Sequence, residues 1–270
     1  MNRFFIFLFI IFITSCSSKE EASKNVLSVT MEPYRYVVEA VAGDDWEVRS
    51  IVPKGGNPET FDPAPGDIML LSESRACFLV GGLGFERDWK DKMAVLYPKM
   101  TLVDTSRGIE RDAGDPHLWT SPDNMIKIAD NVCNALCKID STRSTGYHER
   151  LVKLKDSIYA THAILKRKLE KAKGKSFLIF HPSLTYFSSL YGLRQISIEC
   201  EGKEPSVAHL QTVIDAARAQ GVNCVLVQAE FDRRSAIAIA DEIGARVEEI
   251  NPLSYYWHEQ MLHIADVLSK

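Results

Sequence analysis

Apolar residues in this chain fall into two rhythms: short runs bounded by glycine or proline, and longer stretches in which they recur at helical spacing. The runs at Val26–Thr30, Trp46–Val52, Ala76–Val80 and around Leu102-Val103 read as strands. Between them, Tyr34–Val41 (closed by Gly43), Asp67–Ser72 and Asn124–Ile139 read as helices. The second half repeats this grammar. Its predicted strands are Phe177–Phe180, Gln195–Glu199, Cys224–Val227 and Arg246–Ile250, and its helices Leu184–Tyr191, Val207–Ala219, Ser235–Ile243 and Trp257–Leu268. Ser206 is placed to cap the helix that ends at Gly221. Such alternation predicts an α/β fold of two mostly parallel, doubly wound lobes. Between the halves, Thr145–Lys173 has no proline, and after Gly146 no glycine. Leu151, Leu154, Ile158, Leu165 and Leu169 recur there at spacings of three, four or seven. That pattern predicts one long amphipathic helix, ~42 Å if continuous, joining the lobes stiffly. The alternative is a helix-turn-helix broken near Thr161-His162.

The N-terminus adds a different signal. Arg3 precedes an apolar run, Phe4–Ile13, that is short of the ~20 residues a membrane span needs and suits a signal peptide. It ends in Ile13-Thr14-Ser15-Cys16, which resembles the bacterial lipobox and implies lipidation at Cys16. The polar segment Ser17–Asn25 reads as a tether. The predicted organisation is therefore a signal peptide (1–16), tether (17–25), N-terminal lobe (26–142), linking helix (143–174) and C-terminal lobe (175–270). It implies an extracytoplasmic protein held at a bacterial membrane, in the periplasm or on the cell surface.

Composition narrows the classes. At 46% hydrophobic and 25% charged residues, the chain has the make-up of a globular protein. Its formal charge of −4 offers no basic stripe for nucleic acid. Of six cysteines, five remain if Cys16 is lipidated, an odd number without framework spacing, which argues against a disulfide scaffold. Cys133 and Cys137, four apart on a predicted helix, read as small core residues, with joint metal binding as the alternative.

Candidate chemistry lies in loops at the carboxyl ends of predicted strands, where open α/β sheets bind ligands. His181 directly follows a strand, and His117 follows Asp115-Pro116 in a polar loop. One imidazole from each half at a shared cleft would make a metal trap. Glu59 lies in Gly56-Asn57-Pro58-Glu59-Thr60-Phe61, and Asn251 in Asn251-Pro252-Leu253; Gln228, Glu230 and Asp232 follow another strand. Each has a plainer reading: His181 as a core histidine, His117 as a surface histidine, Glu59 as a solvated carboxylate, Asn251 as a turn residue. The other histidines fall on predicted helices and read as solvent-facing, with His258 held in reserve.

Together with Gly82-Leu83-Gly84-Phe85-Glu86, Glu204-Pro205-Ser206 and Val227-Gln228-Ala229-Glu230-Phe231, these motifs resemble the zinc/manganese solute-binding lipoproteins of bacterial ABC importers, over nearly the whole chain. The resemblance implies a monomeric, non-enzymatic protein that binds one divalent metal between its lobes and delivers it to a membrane permease and its ATPase. It places the ligands on Glu59, His117, His181 and Asn251. Glu59 stands where many relatives have histidine, and Asn251 where they have aspartate. With two neutral imidazoles and one carboxylate the site sums to +1 with a dication, and Gln228, Glu204 or water would complete the shell. Zn2+ is favoured over Mn2+ by the nitrogen donors, although the loop Asp104–Asp115 lacks the histidines some zinc importers carry. Other readings are a lipid-anchored zinc hydrolase, for which no His-Glu-x-x-His is present, and a fold turned to adhesion or another solute. A rigid linking helix further implies small lobe tilts and local movement of the His181 and Asn251 loops on release.

Overall fold

A computed structural model describes residues 25–199 and 205–270. The predicted signal peptide, Cys16, nearly all of the tether, Cys200 and Glu204 lie outside them. In the first lobe, β1 (Val26–Val29), α1 (Glu32–Ala42), β2 (Glu47–Ser50), α2 (Pro65–Met69), β3 (Ser74–Leu79), α3 (Gly84–Leu96), β4 (Thr101–Asp104) and α4 (Pro122–Ile139) follow in order. The long helix α5 (Ser144–Leu169) leads to β5 (Ser176–Ile179), α6 (Thr185–Tyr191), β6 (Arg194–Ser197), α7 (Val207–Ala219), β7 (Cys224–Gln228), α8 (Arg234–Ile243), β8 (Arg246–Ile250) and α9 (Trp257–Ser269). Both sheets are wholly parallel and have the same order, β2-β1-β3-β4 and β6-β5-β7-β8. In each, the order reverses at the first strand, so a crevice opens beyond the carboxyl ends of the strands.

The helix α5 is unbroken at Thr161-His162, which removes the helix-turn-helix alternative. Its 26 residues span about 39 Å, and a single 3-10 turn, Glu170–Ala172, extends it. Tyr147, Leu154, Ile158, Leu165 and Leu169 are buried along one stripe, against α1, α4 and α9. One hydrophobic core runs continuously from β1 and α1 across α5 to β5, α6 and α9. The lobes are also tied directly: the Trp119 indole N–H donates to the Pro252 carbonyl (2.8 Å), and that of Trp257 to the Trp119 carbonyl (2.7 Å).

Helix α3 was not legible from the apolar pattern. Phe85 and Met93 are buried on it, but Val95 and Leu96 point to solvent and charged residues fill the rest. Among the described residues, no helix is long and apolar enough to cross a membrane.

His258 departs from its expected exposure. It packs in the α1–α5–α9 seam, within hydrogen-bonding distance of Thr161 Oγ1 (2.7 Å) and Tyr36 Oη (2.5 Å). Burial lowers its pKa, so the folded state holds it neutral while the unfolded chain takes up a proton near pH 6.5. Its contribution to stability is full above that pH and fades as pH falls through the folded pKa. Thermal melts should show Tm dropping on acidification below about pH 6.5, with a shallower slope in His258→Gln. Equal slopes would show that other groups carry the dependence.

Candidate metal centre

Three strand ends carry Glu59, His117 and His181. The segment after β2 carries Glu59. Its fit depends on Gly84 at the start of α3, where a Cβ would meet the Glu59 carbonyl oxygen at 2.2 Å. The Gly84 N–H donates to Glu59 Oε2 (3.2 Å), fixing that carboxylate at a helix N-terminus. After β4 the chain turns at Ala113, with φ of 45°, and reaches His117 just before a 3-10 turn, Leu118–Thr120. His181 follows β5, one residue past Phe180.

Each imidazole is oriented by a buried or half-buried carboxylate. His117 Nδ1 lies 2.7 Å from Asp115 Oδ1, and His181 Nδ1 lies 2.9 Å from Glu199 Oε1. Burial alone would raise the Asp115 carboxyl; the hydrogen bond and charge of His117, with a Thr185 contact, hold it below the usual range. An ionised carboxylate only accepts, so the ring proton of each histidine sits on Nδ1. Both Nε2 atoms then present lone pairs, and they lie 3.1 Å apart. Either a proton or a metal cation between them relieves the repulsion of two facing lone pairs. Tetrahedral zinc with ordinary Zn–N bonds sets its nitrogen ligands about 3.3 Å apart, close to this separation.

Trp119 lies beside the His117 ring, with centroids 5.2 Å apart, and Phe231 stacks on His181 at 5.4 Å. Glu59, His117 and His181 line both an open cleft bordered by Asp115 and Glu199 and a small inner void bordered by Trp119, Glu230 and Leu253. Glu59 thus lines the same cleft as the two histidines, with its carboxylate more than 4.8 Å from at least one of the two rings' donor atoms.

Asn251 lines neither the cleft nor the inner void, but a cavity that Glu230 also borders. The Asn251 Oδ1 accepts from the Leu253 N–H (3.1 Å), and the residue lines this neighbouring cavity with Arg35 and Tyr255. That is the turn-capping geometry asparagine before proline favours. Gln228 is buried with both ends of its amide engaged: the Nε2 donates to the His181 carbonyl and to Ser183 Oγ, and Oε1 accepts from the His181 N–H. Both ends of its amide thereby hold the His181 loop in place.

Sequence reasoning gave no role to Asp115 or Glu199 and named Glu230 only as a carboxylate at a strand end. Asp115 sits two residues before His117, a spacing that lets one carboxylate take both the backbone N–H and the ring of that histidine. Glu199 was read as the end of a strand; it lies just beyond β6, the neighbour of β5, and its N–H donates to the Phe180 carbonyl beside His181. Burial raises the pKa of Glu230, a carboxyl facing the inner void.

The family model described as "Zinc-uptake complex component A periplasmic" matches residues 27–269. The chain belongs to this family. A crystal structure of ZnuA superposes with a TM-score of 0.87 at 32% identity, covering 91% of this chain and 98% of that one. The high-affinity zinc uptake system protein ZnuA of Bacillus subtilis (strain 168) is 25% identical over 89% of this chain and 82% of its own length. The manganese ABC transporter substrate-binding lipoprotein PsaA of Streptococcus mitis is 26% identical over 88% and 84%. Against the zinc-binding lipoprotein AdcA of Streptococcus pneumoniae serotype 4, 22% identical, the chain spans about half the relative's length, 53%. The predicted fold of two parallel lobes on a long helix is therefore that of the zinc-uptake family.

Proposed function

We propose that this protein is the extracytoplasmic solute-binding component of an ABC importer and captures one divalent cation, zinc before manganese, between its lobes. The observation that carries this reading is the pair of Nε2 lone pairs converging at 3.1 Å, each backed by a carboxylate on Nδ1. Carboxylate-backed imidazoles are oriented and made more basic toward a metal. Glu59 supplies a third donor. Glu230, beside the same void, supplies the second negative charge that Asn251 lacks, so two neutral imidazoles and two carboxylates balance a dication. The nitrogen donors favour zinc.

The role is delivery and not catalysis, with an inner-membrane permease and its ATPase as receivers and Cys16 as the lipid anchor of a monomer. Direct Trp119–Pro252 and Trp257–Trp119 ties restrict opening, so release proceeds by loop movement and small tilts. Apo and metal-loaded structures differing by tens of degrees between lobes would refute that.

The test is metal stoichiometry and competitive affinity for Zn2+ and Mn2+. One cation per interlobe site, zinc tighter, is expected. Glu230→Gln should weaken binding by at least about tenfold, the low end of the roughly 10- to 100-fold that removing even a group behind the ligands costs, while Asn251→Ala should leave it nearly unchanged. The reverse order would return Asn251 to the ligand set and remove Glu230. Absence of binding would leave the family fold with another cargo.

A further inference from the structure

The N-terminal lobe holds a second group of metal-binding side chains, away from the interlobe cleft. Cys133 and Cys137 stand one turn apart on α4, and His148 faces them from the first turns of α5. Cys133 Sγ lies 3.6 Å from His148 Nδ1, and Cys137 Sγ lies 3.7 Å from His148 Nε2. One ligand atom from each residue can be chosen so that all three lie within 4.8 Å of one another. Cys133 is buried, Cys137 is half-buried and His148 is exposed, so the group has a closed floor and an open side.

We propose that Cys133, Cys137 and His148 form a second metal site, selective for a thiophilic d10 cation such as zinc or copper(I). Two thiolates and one imidazole are soft donors of the kind that hold these ions in trigonal or tetrahedral geometry. In a tetrahedral zinc site, sulfur and nitrogen ligands lie about 3.6 Å apart, as follows from ordinary Zn–S and Zn–N lengths. Each sulfur already lies at that distance from one ring nitrogen; a single coordinating nitrogen, within 4.8 Å of both sulfurs, closes on the cation by a small ring rotation while water takes the open side. The reading of the pair as core residues accounts for Cys133 but not for an exposed histidine spanning both sulfurs. A disulfide does not account for the pair either. Helical side chains four apart hold their Cβ atoms about 5–6 Å from each other, whereas a disulfide needs roughly 3.5–4.5 Å. Both cysteines are free, as are Cys77 and Cys224 among the described residues. This site does not rest on the interlobe reading, because no residue is shared between the two.

Cobalt(II) separates the two sites, since only a cysteine-bound cobalt gives thiolate-to-metal charge-transfer absorption in the near ultraviolet. The full chain in detergent would be titrated with cobalt, alongside a His117→Ala/His181→Ala variant. The charge-transfer band is expected in both, saturating at one cobalt per chain in the His117→Ala/His181→Ala variant, and is expected to vanish in Cys137→Ser and in His148→Ala. These two substitutions fall on half-buried and exposed positions, and circular dichroism confirms their folding. Cys133→Ser, at the buried position, is the third variant. Displacement of the band by zinc, or by copper(I) alone, names the preferred ion and supports the site either way. No band at saturating cobalt would overturn the proposal. So would a band that survives Cys137→Ser and Cys133→Ser, because it would belong to another cysteine.

Discussion

In a Cys137→Ser background, alanine at His117 or His181 is expected to abolish the thermal stabilisation conferred by zinc at the interlobe site. A ligand at a thousandfold excess over its Kd, binding only the native state, stabilises by about 4 kcal/mol. For a chain of this size that corresponds to a rise in Tm of about 8–16 °C. Either substitution removes one of two converging nitrogens, and the remaining imidazole with Glu59 is a poor site. The apo fold should survive, because the lobes are held by the continuous core around α5 and by the Trp119–Pro252 bond, not by the histidines. The measurement is the zinc-dependent change in Tm of each variant against its own apo state. A wild-type-sized shift in His181→Ala would move the cation elsewhere. Asp115→Asn and Glu199→Gln should retain binding but weaken it roughly 10- to 100-fold, since they alter only the groups that orient the rings.

Glu86→Gln should be among the most destabilising single substitutions. The Glu86 carboxylate is 2% exposed and accepts four hydrogen bonds: from Thr30 Oγ1 (2.5 Å) and from the backbone N–H groups of Val80 (2.7 Å), Gly81 (2.6 Å) and Gly82 (2.9 Å). Those three N–H groups follow the end of β3 and take the Glu86 carboxylate as their acceptor. Glutamine turns one acceptor oxygen into a donor. Thr30 can rotate its hydroxyl to accept, but at least one backbone N–H then faces an N–H. A buried donor left unpaired costs about 1–3 kcal/mol, and more where the lost partner was charged. A loss of about 3 kcal/mol in denaturant unfolding is expected. Metal affinity should fall as well, because the same turn positions Gly84 against Glu59. A change below about 1 kcal/mol would show that the turn finds other partners.

Much of the architecture was legible in the chain because each lobe is made of short buried strands between well-marked helix ends. Val207–Ala219, with Ser206 accepting the His209 N–H, and Arg246–Ile250 fall where the pattern puts them. Helix α3 escaped because its burial rests on few apolar residues and on the close approach of Gly84 to Glu59. The two histidines were legible as strand-end residues. Their partners were not. Asp115, Glu199 and Glu230 come from separate loops, and no local spacing distinguishes a carboxylate that backs an imidazole from a solvated one. The same holds for Asn251, whose side chain turns to its own loop instead of the cleft, and for His148, which reads as an exposed helical residue until α4 and α5 are packed together.

The sequence by itself therefore determined the strand and helix order, the stiff linking helix and the loops that carry metal-binding residue types. These depend on periodicities of two to four residues and on glycine and proline. Only the tertiary structure decided which side chains converge. His117 and His181 are 64 positions apart in the chain, and their 3.1 Å separation follows from how two sheets are docked across α5. That docking is a property of the shared core, which orients each strand end and hence each ring.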